Sequence, residues 1–260
     1  MLTKLQTALI TGASSGIGAA FAHALAERGK DLILVARSED KLNALAQELA
    51  ERHQIETHVI VADLARPDAA RSLHAETENL GLPVDLLINN AGYGKLGPFA
   101  ELGFDVQADM VRLNTNTLVE LTRLYLPAIQ QRQKGGVINV ASTAAFQPTA
   151  QMAVYAATKV FVLNFSVALA EEVASDGVTV MALCPGWTET GFQAVAGTSG
   201  GVGPQAQSAQ QVVTEALRAF DRGKAVHVPG ILNKFLAFLT SRLLPRRLVA
   251  QLSGKFLGRT

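Results

Sequence analysis

The chain has 260 residues, of which 48% are hydrophobic and 17% are charged. This length suits one large α/β domain or two small ones, and the apolar content excludes extended disorder. A formal net charge of +1 excludes a global field that would favour nucleic acid, so no nucleic-acid partner is expected. The single cysteine, Cys184, excludes a disulfide framework and a cysteine-based metal site.

The start of the chain and its apolar runs bear on location. The first apolar run begins within a few residues of Met1, so we expect no signal peptide. No apolar run reaches the roughly 18 uncharged residues that a bilayer span needs. The sequence therefore predicts a reducing, cytoplasmic setting.

Short apolar runs alternate with helical patterns along the whole chain. Short apolar runs indicate buried parallel strands, and apolar spacings of three and four residues indicate helices. The predicted strands are residues 5–11, 32–36, 57–62, 84–88, 137–140, 178–183 and 225–228. Four helices are predicted over residues 16–28, 67–80, 114–129 and 152–175. A further helix is capped by Ser38 and carries Leu42, Leu45 and Leu49. The last one runs from Ser208 to Phe220, and Ser208 forms a capping box with Gln211.

Repeated strand–helix alternation predicts a single doubly wound parallel sheet of the α/β class with helices on both faces. We find no repeat and no linker, so we predict one domain over residues 1–230 and a helical C-terminal extension of it over residues 231–260. In such sheets the ligand sits outside the carboxyl ends of the strands. The unusual residues fall there: residues 12–18, Asp63, residues 89–92, Ser142 and residues 185–190.

The segment of residues 11–18, TGASSGIG, joins the first strand to the first helix. Such a turn brings unpaired backbone N–H groups and the positive end of a helix together, which favours phosphate binding. Gly12 permits the tight turn, Gly16 permits close approach of a pyrophosphate, and Gly18 lets the helix lie close to the sheet. A glycine-rich turn alone is also consistent with a flexible loop, so this pattern needs support from the rest of the chain.

Tyr155 and Lys159 lie four residues apart on one predicted helix face, and Ser142 closes the strand before that helix. All three side chains should therefore meet at the sheet edge that carries the glycine-rich turn. An ammonium about 4 Å from the phenol, at an effective dielectric near 20, is worth roughly 4 kcal/mol, or about three pKa units. We therefore expect Lys159 to lower the pKa of Tyr155 toward the range of a general acid/base.

A tyrosine acid/base beside a dinucleotide predicts hydride transfer. In reduction Tyr155 would give its proton to the carbonyl oxygen, Ser142 would hydrogen-bond that oxygen, and Asn114 would hold water that connects Lys159 to solvent. The five histidines are scattered and none is near Ser142 in sequence, so a Ser–His triad finds no support. His, Asp and Glu show no metal-ligand spacing, and no metal is predicted.

Taken in order, these motifs resemble the classical short-chain dehydrogenase/reductase family over about residues 7–192. The resemblance also rests on the motif Asn89-Asn90-Ala91-Gly92 and on Pro185-Gly186 with Thr190. The resemblance implies a Rossmann-like fold and a catalytic tetrad of Asn114, Ser142, Tyr155 and Lys159. It implies a dinucleotide in contact with Gly12, Ser14, Ser15, Gly16, Ile17, Gly18, Arg37, Ser38, Asp63, Leu64, Asn90, Ala91, Gly92, Tyr155, Lys159, Pro185, Gly186, Thr188 and Thr190. One departure is Thr117, where relatives often have glycine.

The end of the second strand bears on the choice of cofactor, because NAD enzymes of this kind carry an acidic residue there for the ribose hydroxyls. Here Arg37 offers a planar cationic fork and Ser38 a hydroxyl, and no carboxylate repels a 2′-phosphate. We predict NADP(H); the alternative is that Arg37 is a solvated surface arginine. Asp63 matches the family residue that binds the adenine amine, and a helix cap is its other interpretation.

Three regions bear on the substrate. An apolar pocket is suggested by residues that are equally consistent with core: Ala144, Phe146, Gln147, Met152, Trp187 and Phe192. Residues 194–211 are rich in Gly, Ser, Ala and Gln, and their position favours a mobile lid over a plain surface loop. Residues 231–244 have helical apolar spacing with cationic ends, and no acidic residue follows Asp221. They are either an interfacial helix for anionic lipid or a lipid-like substrate, or a helix packed on the domain or a partner subunit.

We predict an NADP(H)-dependent carbonyl reductase or alcohol dehydrogenase that acts on an apolar small molecule. The Arg37 pattern and the apolar tail are similar to those of 3-oxoacyl and 17β-hydroxysteroid-type reductases. The alternatives are a non-catalytic NADP-binding sensor, and an epimerase or lyase that uses the cofactor as an internal redox relay. The resemblance also implies a homodimer or homotetramer formed through the helices that carry Asn114 and Tyr155.

Overall fold

The computed structural model describes residues 2–197 and 206–257. Within them the strands are β1 (Thr7–Thr11), β2 (Asp31–Ala36), β3 (Thr57–Val61), β4 (Leu86–Asn89), β5 (Gly136–Val140), β6 (Thr179–Leu183), β7 (Thr188–Glu189), β8 (Gln207–Ser208) and β9 (Val226–His227). Seven of these form a parallel sheet in the order β3-β2-β1-β4-β5-β6-β9, and β7 pairs with β8 beside it. The predicted doubly wound parallel sheet is confirmed.

The α-helices of the described residues are α1 (Gly16–Ala26), α2 (Glu39–His53), α3 (Ala69–Asn79), α4 (Phe104–Val111), α5 (Thr117–Gln131), α6 (Ala153–Glu172), α7 (Phe192–Ala196), α8 (Ala209–Asp221), α9 (Ile231–Phe238) and α10 (Arg246–Leu257). A π-helical turn, Arg112–Asn116, joins α4 to α5, and a second one, Leu239–Leu243, follows α9. A short 3₁₀ turn, Thr143–Phe146, follows β5.

Two predictions about helix starts have different outcomes. The capping box of α8 is confirmed, because the Ser208 hydroxyl accepts the backbone N–H of Gln211 and the Gln211 side chain accepts the N–H of Ser208. Ser38 does precede α2, but its side chain makes no capping hydrogen bond, so the predicted cap is wrong in that respect. Its hydroxyl lies instead on a cavity wall described below.

Both faces of the sheet are covered, which explains why its strands are continuous apolar runs. In β1, Ile10 packs into the core cluster that contains Phe21 of α1, whereas Leu9 packs into the opposite cluster with Leu121 of α5. All four side chains are fully or almost fully buried. Because both faces are occupied by helices, the carboxyl edge of the sheet is where a ligand can be received.

Helix α6 is the one helix in the described ranges that is long and apolar enough to cross a membrane, judged by length and composition alone. Core helices of soluble proteins pass the same test. In this fold α6 packs against β5 and β6, with Val162 and Ser166 fully buried. In the sequence, the charged Lys159 divides the apolar run of α6, so each uncharged part of this helix is shorter than a membrane span requires.

The C-terminal helices return to the carboxyl edge of the sheet. The Ser253 hydroxyl of α10 accepts the backbone N–H of Ala150 at 3.2 Å and lies 3.3 Å from the carbonyl oxygen of Pro148. This contact places α10 beside the loop between β5 and α6. Of the predicted lid, residues 198–205 lie outside the described residues, so the lid stays a prediction.

Candidate active site

A cavity of about 1100 Å³ opens at the carboxyl edge of the sheet. Its wall takes residues from the segments that follow β1, β2, β3, β4, β5 and β6, and from α10. Every predicted cofactor residue except Gly18 lies on this wall, as do Ser142, Tyr155 and Lys159. Asn114 is the member of the predicted tetrad that lies behind the wall.

The glycine-rich turn has the geometry of a phosphate cradle. Gly12 has a φ of +66°, and a Cβ atom on Gly18 would lie 2.2 Å from the Gly12 carbonyl oxygen. Gly18 therefore permits close packing, as predicted, and this explains its absence from the cavity wall. Ser15 precedes α1 but makes no capping bond, so no Ser15 hydroxyl competes for the N–H groups of the first helical turn.

Thr11 ties the glycine-rich turn to the end of β4. Its hydroxyl donates to the carbonyl oxygen of Ile88 at 3.2 Å and accepts the backbone N–H groups of Asn90 at 3.0 Å and Ala91 at 2.9 Å. In return, the Asn90 amide donates to the carbonyl oxygens of Thr11 at 2.9 Å and Gly12 at 3.2 Å. The Asn90 side chain thus positions the turn. Sequence reasoning included Thr11 in the turn but assigned its hydroxyl no role, because threonine is an ordinary strand residue.

Ser142, Tyr155 and Lys159 converge as predicted. The Lys159 Nζ donates to the carbonyl oxygen of Val140 at 2.8 Å and lies 5.8 Å from the centroid of the Tyr155 ring. The Ser142 hydroxyl is near enough to Tyr155 to lower the pKa of that phenol, and it accepts the backbone N–H of Ala144 at 3.1 Å. Tyr155 and Lys159 are both buried.

Burial governs the protonation of both groups. It raises the pKa of Tyr155 to about 12, against the lowering effect of the Ser142 hydroxyl. It also lowers the pKa of Lys159 to about 8, opposed by the nearby Cys184 thiol. The expectation that the pKa of Tyr155 is lowered is therefore wrong for this structure, because burial disfavours the charged phenolate and sets the direction of the shift. At neutral pH the Tyr155 phenol is therefore protonated and can donate its proton, and the pKa of Lys159 lies just above neutral.

Asn114 lies in the π-helical turn, a feature often found at functional sites. Its amide nitrogen donates to the Tyr93 carbonyl oxygen at 2.9 Å and to the Thr158 hydroxyl at 3.1 Å, and its oxygen accepts the Tyr93 N–H at 3.2 Å. A Cβ atom on Gly92 would lie 2.8 Å from Asn114 Oδ1 and 3.6 Å from Lys159 Nζ. Asn114 therefore braces the loop beside Lys159, and the predicted water link stays a prediction.

Two exposed cations line the cavity after β2. Arg37 and Ser38 are there as predicted, and Lys41, one turn into α2, joins them. Lys41 was missed because charged residues are common on the solvent side of a helix. The pair offers two positive charges to one anionic group.

The segment after β3 holds Asp63 and Leu64 in a defined turn. The Asp63 carboxylate accepts the backbone N–H of Ala65 at 3.1 Å and lies 3.8 Å from the Arg66 guanidinium. Asp63 lines the cavity as predicted, whereas its helix-cap interpretation is wrong, because α3 begins at Ala69 after Asp68 and the Asp63 carboxylate braces a turn instead. The Thr117 hydroxyl donates to the Leu64 carbonyl oxygen at 2.8 Å, so this departure from the family pattern supports the same turn.

The segment after β6 closes the other side of the cavity. The Pro185 carbonyl oxygen accepts the Thr143 N–H at 2.8 Å, and the Thr188 hydroxyl donates to the Gly186 carbonyl oxygen at 3.1 Å. A Cβ atom on Gly186 would lie 2.6 Å from the Asn233 side chain, so α9 packs directly on this segment. Thr190 packs against Gly16, because a Cβ atom on that glycine would lie 3.0 Å from the threonine side chain.

The substrate side of the wall differs in part from the prediction. Gln147, Met152, Trp187 and Phe192 line the cavity, whereas Ala144 and Phe146 do not. The 3₁₀ turn after Ser142 directs Phe146 toward the cluster of α5, α6 and β6, and Ala144 packs into the cluster around Tyr155. Helix α10 supplies apolar wall residues that sequence reasoning missed: Val249, Leu252, Phe256 and Leu257.

The model of the short chain dehydrogenase family matches residues 6–199. The chain belongs to this family. The chain is 38% identical over 188 residues to the very-long-chain 3-oxoacyl-CoA reductase of Anas platyrhynchos, an alignment that covers 70% of this chain and 60% of that protein. It is also 33% identical over 191 residues to the inactive hydroxysteroid dehydrogenase-like protein 1 of Homo sapiens, covering 72% and 57%. The chain spans about 60% of the length of these curated relatives.

Solved structures agree with the fold of this short-chain dehydrogenase. A short-chain dehydrogenase from Sphingobium yanoikuyae in complex with NADPH is 34% identical with a TM-score of 0.82, and the match covers 92% of this chain and 97% of that one. The bulky-bulky ketone specific alcohol dehydrogenase from Comamonas testosteroni is 33% identical with a TM-score of 0.78, covering 92% and 95%. Solved neighbours carry NADPH, NADP or NAD. The chain thus belongs to a family whose solved members include NADPH and NADP complexes, and it resembles 3-oxoacyl and hydroxysteroid reductases.

Proposed function

We propose that this protein is an NADP(H)-dependent reductase or dehydrogenase that moves a hydride between nicotinamide and the carbonyl or secondary alcohol of an apolar substrate. The observation that carries the proposal is the convergence of Ser142, Tyr155 and Lys159 on one wall of the cavity that the glycine-rich turn closes at its other end. Proton transfer to an alkoxide needs a proton donor, a hydrogen-bond partner for the oxygen and a nearby cation. The phenol, the hydroxyl and the ammonium of these three residues supply them around a place where a carbonyl group could bind.

In reduction, Tyr155 is the general acid. Its raised pKa keeps the phenol protonated at neutral pH, so it is ready to give its proton to the developing alkoxide. Ser142 hydrogen-bonds the same oxygen, and Lys159 in its charged form stabilises the phenolate that the transfer leaves. The bound dinucleotide supplies the hydride, and Tyr155 takes the proton back in oxidation.

NADP(H) is the proposed cofactor because the adenosine end of the cavity is cationic. Arg37 and Lys41 are both exposed on its wall, within one helical turn of each other in sequence. A 2′-phosphate there would gain charge-assisted hydrogen bonds, and no carboxylate stands at the end of β2 to receive ribose hydroxyls in its place.

The substrate class follows from the other end of the cavity and from the relatives. The wall there is formed by Met152, Trp187, Phe192 and the apolar side chains of α10. The curated relatives include 3-oxoacyl-CoA reductases, and one solved relative acts on bulky-bulky ketones. We therefore propose a bulky or long-chain apolar ketone, or the corresponding alcohol.

The deciding experiment follows NADPH absorbance with a panel of ketones. The panel runs from cyclohexanone through a steroid ketone to 3-oxoacyl thioesters of increasing chain length, with the matching alcohols and NADP⁺ for the reverse direction. We expect turnover that rises with apolar size. Stoichiometric NADPH binding without turnover of any member would favour the alternative of a non-catalytic sensor; retention of Ser142, Tyr155 and Lys159 argues against that alternative.

A further inference from the structure

Helix α9 has the reverse of the usual amphipathic polarity. Its inward side carries the small Ala237 and the polar Asn233, whose amide donates to a backbone oxygen of the preceding turn. Its outward side carries Ile231, Phe235 and Phe238, which are 86%, 58% and 56% exposed. We call these three residues the α9 apolar face. Soluble helices bury their apolar side, so a face of this kind marks a surface that something else covers.

The charged residues of α9, α10 and the turn between them are all positive. Residues 222–260 carry eight basic residues and no acidic one, whereas the first 221 residues hold all 22 acidic residues and 15 of the 23 basic ones. The exposed cations of α9, α10 and the turn between them are Lys234, Arg242, Arg246, Arg247 and Lys255. Within the described ranges no carboxylate forms an ion pair with any of these five. The charge therefore favours an anionic occupant.

A second copy of the chain fits this surface poorly. A two-fold contact would place the same patch on both sides and bring Arg246 and Arg247 toward the partner's identical cations, which costs free energy. An anionic lipid surface has no such conflict. Aromatic and aliphatic side chains enter the headgroup boundary, while lysine and arginine contact the lipid phosphates.

The last helix of this basic region also forms part of the cavity wall. Leu252 and Phe256 of α10 belong to the cavity wall, yet they are 51% and 64% exposed. Ser253, between them, holds α10 to the loop that leads from Ser142 to Tyr155. An apolar molecule that leaves a bilayer beside α10 would therefore meet cavity wall at once, with little exposure to water.

We propose that α9 and α10 dock the protein on an anionic membrane surface, and that the apolar substrate enters the cavity from the bilayer past Leu252 and Phe256. The docking half stands on exposure and charge alone. The entry half rests on the proposed function.

Vesicle flotation of the full chain saturated with NADPH tests the docking half. Phosphatidylcholine vesicles are compared with vesicles that also contain phosphatidylglycerol. We expect binding to the anionic vesicles that added salt weakens. Two variants should each lose at least about tenfold in binding: the triple I231S/F235S/F238S, which removes the apolar face, and R246E/R247E, which reverses two charges.

The matched control is the triple variant F99S/F104S/V111S, which removes exposed apolar side chains next to and within α4 and should keep full vesicle binding. None of the substituted residues lines the cavity, so NADPH binding checks that each variant is folded. Unchanged vesicle binding of I231S/F235S/F238S overturns the docking. The docking is also overturned if wild type binds neither kind of vesicle and forms a dimer that I231S/F235S/F238S abolishes, because a second copy then covers the face.

Activity tests the entry half. A short water-soluble ketone and a long-chain ketone carried in anionic vesicles are compared as substrates. The I231S/F235S/F238S variant should keep its rate on the soluble ketone and lose at least about tenfold on the vesicle-borne one. If the variant reduces both ketones as fast as wild type does, the entry route is overturned. A wild type that reduces neither ketone contradicts the proposed function instead, and the flotation result still decides the docking.

Discussion

The Nζ atom of Lys159 lies 5.8 Å from the centroid of the Tyr155 ring and is held there by a 2.8 Å hydrogen bond to the carbonyl oxygen of Val140. The ammonium is therefore anchored to β5, one helical turn from the phenol that it serves. Because both groups are buried, the pKa of Lys159 falls to about 8 and that of Tyr155 rises to about 12.

Tyr155→Phe should reduce kcat by about three orders of magnitude, because the proton donor is lost while the ring remains. NADPH affinity should change little, since one wall hydroxyl is removed. Fluorescence titration of NADPH and steady-state rates measure the two effects. The control is Tyr125→Phe, whose buried hydroxyl bonds Thr77 at 2.9 Å on the α3–α5 side of the sheet, and which should keep full activity. Substantial turnover by Tyr155→Phe would remove this phenol from the mechanism.

Lys159 should make the protein less stable below pH 8 than above it. Its pKa is 10.5 by reference and about 8 when folded, so between these values the folded state binds fewer protons than the unfolded state. The contribution of Lys159 to the free energy of unfolding should thus rise with pH from about 8 to about 10.5, by about 3 kcal/mol in all. Burial raises the pKa of Cys184 and of Tyr155 to about 12, so these two groups act oppositely, Cys184 above about pH 9 and Tyr155 above pH 10, and the contribution of Lys159 is the difference between wild type and a variant without it.

Lys159→Met should remove this pH dependence. At pH 7 it should raise the free energy of unfolding by about 2 kcal/mol, since loss of the Val140 hydrogen bond offsets about 1 kcal/mol of the gain, while activity is abolished. Chemical denaturation at about pH 7 and about pH 9.5, without nucleotide, measures both effects. A variant that is less stable than wild type at pH 7 would contradict the burial cost assigned to Lys159.

Arg37→Glu and Lys41→Glu should each raise the KM for NADPH by at least about tenfold and leave the KM for NADH nearly unchanged, because a 2′-phosphate is the group they would bind. Steady-state kinetics with both cofactors measure the ratio. Arg71→Glu, an exposed charge reversal on α3 away from the cavity wall, is the control. If both KM values rise equally, the two cations do not select the 2′-phosphate.

Thr11→Val should cost about 2 kcal/mol of stability and weaken NADPH binding, because the Ala91 N–H loses its acceptor and the Asn90 N–H keeps only the Ile88 carbonyl oxygen. Thr7→Val is the matched control in the same buried strand, and it should be nearly neutral. Thermal unfolding and NADPH titration compare the two. Equal behaviour of both variants would mean that the Thr11 hydroxyl does not hold the turn.

Subunit association is predicted through the outer faces of α5 and α6. On α6, Phe161 and Val167 are partly exposed, and the rings of Phe161 and Phe165 stack with centroids 6.1 Å apart. Phe161→Asp should therefore shift a dimer or tetramer to smaller species in light scattering coupled to size-exclusion chromatography. An unchanged mass would place the subunit contact elsewhere.

Local patterns carried much of the fold and of the candidate site. Strand positions followed from apolar runs, the α8 cap from Ser208 and Gln211, and the Tyr155–Lys159 pair from a spacing of four residues. Each of these depends on neighbours within about one turn or one strand, so it is encoded locally.

Contacts between distant segments decided the rest. Thr11 bonds residues almost eighty positions away, Phe146 turns from the cavity into a core cluster, and α10 forms cavity wall a hundred residues after the loop it touches. The upward shift of the Tyr155 pKa also depends on contacts between distant segments. Spacing brings the phenol and the ammonium together, but burial depends on everything packed around them, and only the assembled tertiary structure determines how much water is removed.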